Sequence, residues 1–260
     1  MAKYSLLNSE AILHISGPDS LKFLQGQTTC DTSVIDPEQA AAGVYCTPKG
    51  RVVCDFLLAQ LEEEHFALRM RRSIRLRAAE VFSKYIVFSK AELDDQRDDW
   101  LVVGVWGEDA ETAVKSVFGA TPAERWQSLS GPGFTLIRKD DEGRHFEAFM
   151  NQGNEKFEQL ADCCTQGSET QWQSEEVQAG IARIEKQTVE AFVPQVLNYD
   201  LTGHINFNKG CYTGQEVVAR LHYRGKSKRR TYLASLPEPA VAGTSLFSAE
   251  NEQSVGNVIN

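Results

Sequence analysis

The eight residues KGCYTGQE, numbered 209–216, bring a thiol, an ammonium group, a phenol, an amide and a carboxylate together in the chain. Thr213 and Glu216 have the spacing of a capping box ahead of a partly apolar run, which predicts a helix with Thr213 as its N-cap. Cys211 then lies two residues before the N-cap. There the positive end of the helix and the nearby charge of Lys209 would favour the thiolate, which is the nucleophilic form. The segment therefore predicts a reactive cysteine, the alternative being a glycine-rich turn that carries a small buried one.

Basic residues form two clusters in a chain whose net charge is −9. The first cluster holds Arg69, Arg71, Arg72, Arg75 and Arg77, and the second, directly after the eight-residue motif, holds Arg220, Arg224, Lys226, Lys228, Arg229 and Arg230. The overall acidity argues against a general nucleic-acid-binding protein. A local basic patch on an acidic protein suits a small polyanion or one docking face for RNA. The alternative for both clusters is an ordinary solvated surface.

Length and composition predict a soluble globular protein. The chain has 260 residues, of which 42% are hydrophobic and 24% charged, and this is enough to bury a substantial core. No apolar run approaches the roughly 20 residues that span a bilayer, and the first ten residues lack the apolar core of a signal peptide. We therefore expect a cytoplasmic location and no membrane partner. The six cysteines include no C-x-x-C pair, which predicts free thiols and no metal site.

Hydrophobic periodicity predicts the elements that must position these side chains. Helices are predicted from a capping box at Ser16 to about Gly26, and over residues 71–88, 109–118 and 154–161. Strands are predicted over residues 11–15, 44–46, 51–58, 65–70, 101–106, 135–138, 145–149, 232–234, 245–247 and 255–259, with a hairpin turn at 47–50. This order of strands and helices favours an α+β fold with antiparallel sheets over a parallel doubly wound fold. The chain has neither a G-x-G-x-x-G nor a P-loop sequence, so it carries no nucleotide-binding fingerprint.

Three segments of the chain resemble the signatures of the YgfZ family. They are the run from Asn206 through the motif at 209–216, the run QAGIARI at 178–184 followed by FVPQ at 192–195 and Asn198, and the run ISGPD at 15–19 followed by FLQGQ at 23–27. Their order and spacing are similar to the family from about Ala11 to about Arg230. Members of the family are folate-binding proteins related to the aminomethyltransferase (T-protein) of the glycine cleavage system. They include a bacterial tRNA-modifying protein and mitochondrial assembly factors for iron–sulfur enzymes.

The resemblance implies an aminomethyltransferase-like folate-binding fold, in which antiparallel sheets and helices surround a central cleft. It assigns residues 1–230 to this folate-binding region, with two subdomains. Residues 231–260 would then be the beginning of the family's C-terminal β-barrel, either incomplete or reduced.

The resemblance also implies a site for tetrahydrofolate or another folate derivative. The predicted catalytic residues are Cys211, Lys209 and Asp55, although the acidic position of the related aminomethyltransferases falls on either Cys54 or Asp55. The predicted folate-binding residues are Trp172, Arg183, Asn198, Tyr212, Gln215, Glu216, Arg220 and Arg224.

Several of these residues have a structural alternative. Asp55 would in that case only face solvent from a strand, and Trp172 would be a partly buried structural residue rather than a stacking surface for the pteridine ring. Glu10 stands about where the enterobacterial relative carries a second tryptophan, which implies a weaker or differently posed folate. His204 is predicted to be structural.

Three functions are consistent with these residues and with the resemblance. The first is a folate-binding accessory protein that supports tRNA modification and the assembly or repair of iron–sulfur enzymes, with Cys211 as the reactive thiol. Its partners would be folate, iron–sulfur client proteins, and tRNA or tRNA-modifying enzymes. The second is a tetrahydrofolate-dependent one-carbon transferase of the aminomethyl type, which needs an acid near the folate nitrogen. The third is a non-catalytic binding partner of iron–sulfur proteins.

Overall fold

The computed structural model describes residues 1–225, 227–236, 238–248 and 251–260 of the chain. Its helices are α1 (Ser20–Gln27), α2 (Arg72–Ile86), α3 (Ala110–Phe118), α4 (Glu155–Cys163), α5 (Glu169–Gln178) and α6 (Gln215–Arg224), with short 3-10 helices at Thr32–Val34, Lys186–Thr188 and Pro194–Leu197. Its strands are β1 (Lys3–Leu6), β2 (Glu10–Ser16), β3 (Ala41–Cys46), β4 (Val52–Glu62), β5 (His65–Arg71), β6 (Glu92–Asp94), β7 (Trp100–Trp106), β8 (Ser128–Gly131), β9 (Phe134–Arg138), β10 (His145–Asn151), β11 (Thr165–Gln166), β12 (Ser245–Ser248) and β13 (Asn251–Asn257). Within the described ranges, no helix has both the length and the apolar character that a membrane span requires.

Two large sheets form the body of the molecule. The first has five antiparallel strands in the order β3-β4-β5-β2-β6. The second has six strands in the order β11-β1-β7-β10-β9-β8, in which β1 and β11 run parallel and the other neighbours antiparallel. Successive side chains of a strand point to opposite faces, so each sheet has one face for its helices and one for the other sheet.

The outer face of each sheet packs against helices. Phe82 of α2 lies edge-on to Phe23 of α1 and to Tyr45 of β3, with ring centroids 6.0 and 5.1 Å apart. On the other side, Val114 of α3 and Leu160 of α4 belong to one buried cluster with the apolar side chains of the six-stranded sheet. The fold therefore has four layers, in the order helices, sheet, sheet, helices.

The inner faces of the two sheets meet in an apolar interface that becomes charged at one end. Leu57, Ala59 and Leu61 of β4 alternate along one face and pack against Trp106 and Phe149 of the opposite sheet. The same alternation continues from β4 to Asp55, which is buried although it is an acid. The strands therefore direct charged side chains into the space between the sheets.

The structure confirms the α+β fold with antiparallel sheets and most of the predicted elements. The helices predicted over 71–88, 109–118 and 154–161 correspond to α2, α3 and α4. The capping box at Ser16 is wrong, because Ser16 ends β2 and α1 begins at Ser20. Gly17 makes the turn between them at a φ of 113°, where an added Cβ would lie 2.5 Å from the carbonyl oxygen of Lys90.

The C-terminal prediction is confirmed only for part of its strands. β12 and β13 pair in a two-stranded sheet, close to the predicted strands at 245–247 and 255–259. The predicted strand at 232–234 is wrong. These residues form no regular secondary structure, and Tyr232 and Leu233 are exposed. The described residues do not form a closed barrel, and the division of the chain at residue 230 stays a prediction.

Candidate functional site

Eight buried charged side chains form an ion-pair network between the two sheets. They are Glu10 of β2, Asp55 of β4, Arg69 and Arg71 of β5, Lys139 after β9, Glu147 of β10, Glu176 of α5, and Arg183 in the loop that follows α5. Four of them are cations and four are anions. Buried charges are tolerated when they are paired, and this balance supplies a partner for each.

Arg183 lies at the centre of this network. Its Nε donates to Oδ2 of Asp55 at 2.6 Å, while Nη1 and Nη2 donate to the two carboxylate oxygens of Glu10 at 3.1 and 2.9 Å. Nη1 also lies 3.3 Å from the carboxylate oxygens of Glu176. The other oxygen of Asp55, Oδ1, accepts from the backbone N–H of Ile184 at 2.7 Å. One guanidinium therefore joins three carboxylates, and Asp55 does not face solvent.

The network lowers the pKa of two of its carboxylates, Glu10 and Glu147. Burial alone would raise the pKa of the Glu10 carboxyl, but the three arginines of the network outweigh it and hold that pKa well below its usual range. Glu147 accepts from Nη2 of Arg69 and from Nζ of Lys139, each at 2.7 Å. These cations likewise lower the pKa of Glu147 against the opposing effect of its burial.

A small cavity, called the central cavity here, opens onto the network. Its volume is about 20 Å³, which is space for about one water molecule. The network contributes Asp55, Arg69, Lys139, Glu176 and Arg183 to its walls, and Trp126, Ile181 and His204 also line it. His204 is buried and its Nδ1 lies 2.8 Å from Oγ1 of Thr202, which agrees with a structural role for this histidine.

Trp126 is the aromatic wall of the central cavity. Its backbone has a φ of 69°, a conformation that bulky residues rarely adopt and that often marks a functional position. The guanidinium carbon of Arg125 lies 4.6 Å above the indole ring, and His204 lies edge-on to it at 6.4 Å. Sequence reasoning did not identify this residue.

Trp172, the tryptophan predicted to contact folate, lies in the core instead. Its ring packs edge-on to Trp106 at 5.7 Å and covers Gly104, where an added Cβ would come within 2.7 Å of the indole. It is 2% exposed and lines neither the central cavity nor the larger cavity between the loop after α5 and the C-terminal residues. This packing fits the structural alternative, and the contact of Trp172 with folate stays a prediction.

A second and larger cavity, called the lateral cavity here, lies between the loop after α5 and the C-terminal residues. Its volume is about 880 Å³. Phe192 and Val193 are among its apolar walls, while Asn198, Lys228 and Arg229 are among its polar ones. Ile181 is part of the wall of both cavities, so the two adjoin at this side chain.

Lys209 fastens the eight-residue motif to the end of α1. Its ammonium group donates to the carbonyl oxygens of Gln25, Thr28 and Cys30 at 2.8, 2.6 and 2.7 Å. An ammonium has three N–H donors, and all three are used. Burial lowers the pKa of Lys209 to about 8. The expected effect of its charge on Cys211 stays a prediction.

The predicted capping box of the motif is wrong. α6 begins at Gln215, with Gly214 as its N-cap at a φ of 84° and no side-chain cap. The hydroxyl of Thr213 donates instead to Oε1 of Gln27 at 3.2 Å. A Cβ on Gly214 would lie 2.5 Å from the carbonyl oxygen of Thr47, so the turn into α6 packs directly against the β3–β4 turn.

The remaining motif residues divide into an exposed and a buried set. Cys211 is exposed, as is Glu216 in the first turn of α6, and Gln215 beside it is half-buried. Tyr212 is buried, its ring lies 5.3 Å from Nζ of Lys209, and burial raises its pKa. The motif therefore presents a thiol to solvent from a loop that Lys209 and Tyr212 hold in place.

Among the described residues, the basic side chains that follow the motif are exposed, except that of Arg230. Arg220, Arg224, Lys228 and Arg229 are exposed, and among the described residues their side chains have no hydrogen-bond or ion-pair partner. Arg230 differs, because its guanidinium binds both carboxylate oxygens of Asp200, at 2.5 and 2.9 Å. Lys226 lies outside the described residues. Arg220 and Arg224 line neither cavity, and their contact with folate stays a prediction.

The first basic cluster is not a docking surface for a polyanion. Arg69 and Arg71 are buried in the network. Arg72 and Arg75 both bind Asp98, at 3.1 and 2.6 Å. Arg77 pairs with Glu80 and Glu190, at 3.2 and 2.9 Å. The cations of this cluster thus have partners within the chain.

The sequence did contain signals for the parts of the site that were missed. Glu147 is an acid in the middle of the apolar strand sequence HFEAFM, and Glu10 directly precedes the apolar run AILHI. A charge in an inward-facing position of a strand indicates a buried partner. Ser168 and Gln171 form the capping box that begins α5, so the spacing S-x-x-Q could have predicted this helix.

Comparison with known proteins gives a family, curated relatives and a fold. The profile of the GCVT N-terminal domain matches residues 7–129. The tRNA-modifying protein YgfZ of Hamiltonella defensa is 32% identical over 231 residues, which is 87% of this chain and 68% of that protein. The tRNA-modifying protein YgfZ of Escherichia coli O157:H7 is 33% identical over 265 residues, 97% of this chain and 79% of that protein. Among solved structures, that of the glycine cleavage system aminomethyltransferase T of Bartonella henselae superimposes on 99% of this chain with a TM-score of 0.77, over 73% of the length of that protein. The two sequences are 15% identical, so the match shows a shared fold.

Proposed function

The chain belongs to the YgfZ family, and we propose that it is a folate-binding accessory protein that supports tRNA modification and the assembly or repair of iron–sulfur enzymes, with Cys211 as its reactive thiol. The curated relatives are tRNA-modifying proteins. The folate part of the proposal rests on one observation. The Asp55–Arg183 pair lies in the wall of the central cavity, which shares Ile181 with a lateral cavity lined by free cations.

The side chains around the two cavities match the chemical groups of a folate. The pteridine ring has N–H donors, which suit the carboxylate of Glu176 in the wall of the central cavity. Trp126 offers a flat aromatic face in the same wall. The glutamate tail carries carboxylates, which suit Lys228 and Arg229 in the lateral cavity.

The volumes of the cavities support one way for a folate to enter. The lateral cavity, at about 880 Å³, is in the size range of small-molecule sites. The central cavity, at about 20 Å³, is too small for a pteridine ring. The tail and the aminobenzoate therefore belong in the lateral cavity, and the ring reaches the network when Ile181 or Trp126 moves.

The state of Asp55 favours an accessory protein over a one-carbon transferase. A transferase needs an acid that is free to contact the reactive nitrogen of the folate. Both carboxylate oxygens of Asp55 already have partners, namely the guanidinium of Arg183 and the backbone N–H of Ile184.

The accessory role needs a thiol that a client protein can reach. Cys211 and Cys163 are exposed, and the other four cysteines, Cys30, Cys46, Cys54 and Cys164, are buried. Burial raises the pKa of each of these four thiols, which keeps them protonated and poorly nucleophilic. Cys211 is the exposed thiol of the motif loop that adjoins α6, and Cys163 at the end of α4 is its natural control.

Calorimetric titration with tetrahydrofolate and with its triglutamate tests the folate part. We expect the wild-type protein to bind both, and the triglutamate more tightly. Lys228→Ala/Arg229→Ala should weaken binding of both ligands, and binding of the triglutamate by the larger factor, because its tail carries four carboxylates and that of the monoglutamate two. Lys22→Ala/Lys115→Ala removes the same charge from two exposed sites on α1 and α3 and should change neither affinity. A wild-type protein that binds neither ligand would overturn the folate part, and equal effects of the two double variants would overturn the placement of the tail.

A further inference from the structure

We infer that the exposed surface of α6 binds a single-stranded segment of RNA, with Phe207, His222 and Tyr223 as a stacking platform for bases and Arg220 and Arg224 as phosphate contacts. This inference rests on the tRNA part of the proposed function and does not depend on the folate part. It assigns the two arginines to a ligand other than folate.

Three aromatic rings meet on this surface. Phe207 and His222 are stacked, with ring centroids 3.7 Å apart and an interplanar angle of 15°. Tyr223 stands edge-on to both, at 6.3 Å from Phe207 and 4.7 Å from His222. Tyr223 is 66% exposed, although two other aromatic rings adjoin it. His222 and Tyr223 are exposed, whereas Phe207 is half-buried and packs against the core beneath them. Exposed rings supported in this way are surfaces on which unpaired bases stack.

The cations of α6 are placed to hold a strand across these rings. Arg220, Tyr223 and Arg224 are three and four residues apart, so they lie on one face of the helix. Both arginines are exposed and, in the described part of the chain, have no acidic partner. Their charge is concentrated here although the whole chain carries −9. Such a local basic surface attracts a polyanion to one place.

The combination of rings and arginines favours single-stranded RNA over other polyanions. An acidic peptide would pair with the arginines but would leave the rings without a partner. A duplex keeps its bases stacked inside, so that aromatic side chains cannot reach them, whereas the bases of loops and ends can stack on protein rings. Phe207, which stacks on His222, precedes Cys211 by four positions, which is at most about 14 Å of chain, so the thiol lies within that distance of the stacking platform.

Fluorescence anisotropy with a short labelled single-stranded RNA of mixed sequence, the duplex of the same sequence and unfractionated tRNA tests the inference. The wild-type protein should bind the single strand and tRNA more tightly than the duplex. Tyr223→Ala should weaken binding of the single strand by about five-fold or more, because a stacked base is lost, and Tyr223→Phe should keep it. Arg220→Ala/Arg224→Ala should reduce the slope of log affinity against log salt by about 1.4, since each lost phosphate contact on a single strand accounts for about 0.7. Lys22→Ala/Lys115→Ala should bind like the wild type.

Each contrary result overturns the inference and leaves the folate part standing. Equal binding of duplex and single strand, or a Tyr223→Ala variant that binds as the wild type does, would show that no base stacks on α6. Polyglutamate at an equal concentration of charge provides a further control. If it displaces the RNA from the wild type and from Tyr223→Ala, but not from Arg220→Ala/Arg224→Ala, the surface binds an acidic peptide. Calorimetric titration of the same variants with tetrahydrofolate should give the wild-type affinity, which separates a local effect on RNA from a loss of folding.

Discussion

The guanidinium of Arg183 donates from Nε to Oδ2 of Asp55 at 2.6 Å, across 128 residues of sequence and with both side chains buried. This hydrogen bond ties the loop after α5 to the middle of β4. The same loop supplies Ile181 to both cavities. The pair therefore connects the interface between the two sheets with the proposed ligand site.

Removal of Arg183 should be costly for stability. Arg183→Met leaves the carboxylates of Glu10, Asp55 and Glu176 without their common partner, and breaking a buried ion pair costs about 3–5 kcal/mol. We expect a loss of this size in the free energy of unfolding, measured by urea denaturation. The control is Arg77→Met, which removes an exposed arginine that pairs with Glu190 and Glu80, and which should cost about 1 kcal/mol or less. Equal stability of the two variants would contradict a central place of Arg183 in the network.

Most strands could be predicted from the sequence, but the network could not. The short apolar runs of β4, β7 and β10 indicate each strand locally, because strands that are buried on both faces are rich in apolar residues. The partners of Arg183 come from β2, β4 and α5, and local patterns do not say which strands become neighbours. The resemblance indicated Arg183 and Asp55 as site residues, and the structure adds that they contact each other.

The errors at helix starts have one physical cause. Thr213 has the spacing of an N-cap, yet Gly214 takes a φ of 84° against the carbonyl oxygen of Thr47 and becomes the N-cap itself. At the first helix, Gly17 turns the chain at a φ of 113° after Ser16 in the same manner. A glycine beside a capping-box serine or threonine allows a tight turn against another segment, and that contact is not visible in the local sequence.

The fluorescence of single tryptophan variants should identify the aromatic wall of the folate site. Trp126 lines the central cavity, and Trp172 is packed against Trp106 in the core. We expect tetrahydrofolate to change the tryptophan emission of the wild type, Trp126→Phe to lose most of that change, and Trp172→Phe to retain it. Trp126→Ala should also weaken folate binding by about 1 kcal/mol. The opposite pattern, with the change lost in Trp172→Phe, would restore the contact predicted from sequence and exclude Trp126.

Two glycines of the motif should respond differently to substitution by alanine. Gly214→Ala places a Cβ at a φ of 84° and 2.5 Å from the carbonyl oxygen of Thr47, which should cost about 2 kcal/mol or more. At Gly210 an added Cβ meets no atom within 4 Å and φ is not positive, so Gly210→Ala should change the free energy of unfolding by about 0.5 kcal/mol at most. Thermal or urea unfolding measures both. A tolerated Gly214→Ala would show that the turn into α6 does not pack as described.

His204 should make the protein less stable in mild acid. Burial lowers the pKa of His204 from 6.5 to about 3, so the unfolded chain binds a proton in this window and the folded chain does not. The stability contributed by the neutral ring is therefore complete above pH 6.5 and is lost as the pH falls from 6.5 towards 3.

His204→Phe tests this effect while keeping an aromatic ring next to Tyr199, on which His204 stacks at 4.4 Å. Between pH 6.5 and 4 the free energy of unfolding of the variant should fall less steeply than that of the wild type, by up to about 1.4 kcal/mol per pH unit. Above pH 7 the difference between the two proteins should be constant. A parallel fall of both proteins through the acid range would contradict a neutral, buried His204.

Complementation of an Escherichia coli strain that lacks its own YgfZ is the most direct test of the accessory function, with modified nucleosides of tRNA and an iron–sulfur enzyme activity as readouts. The wild-type chain and Cys163→Ser, which removes the other exposed thiol, should restore both. Cys211→Ser should restore neither, although its free energy of unfolding and its affinity for tetrahydrofolate equal those of the wild type. Restoration of both readouts by Cys211→Ser would contradict the central claim and leave a non-catalytic binding partner as the function.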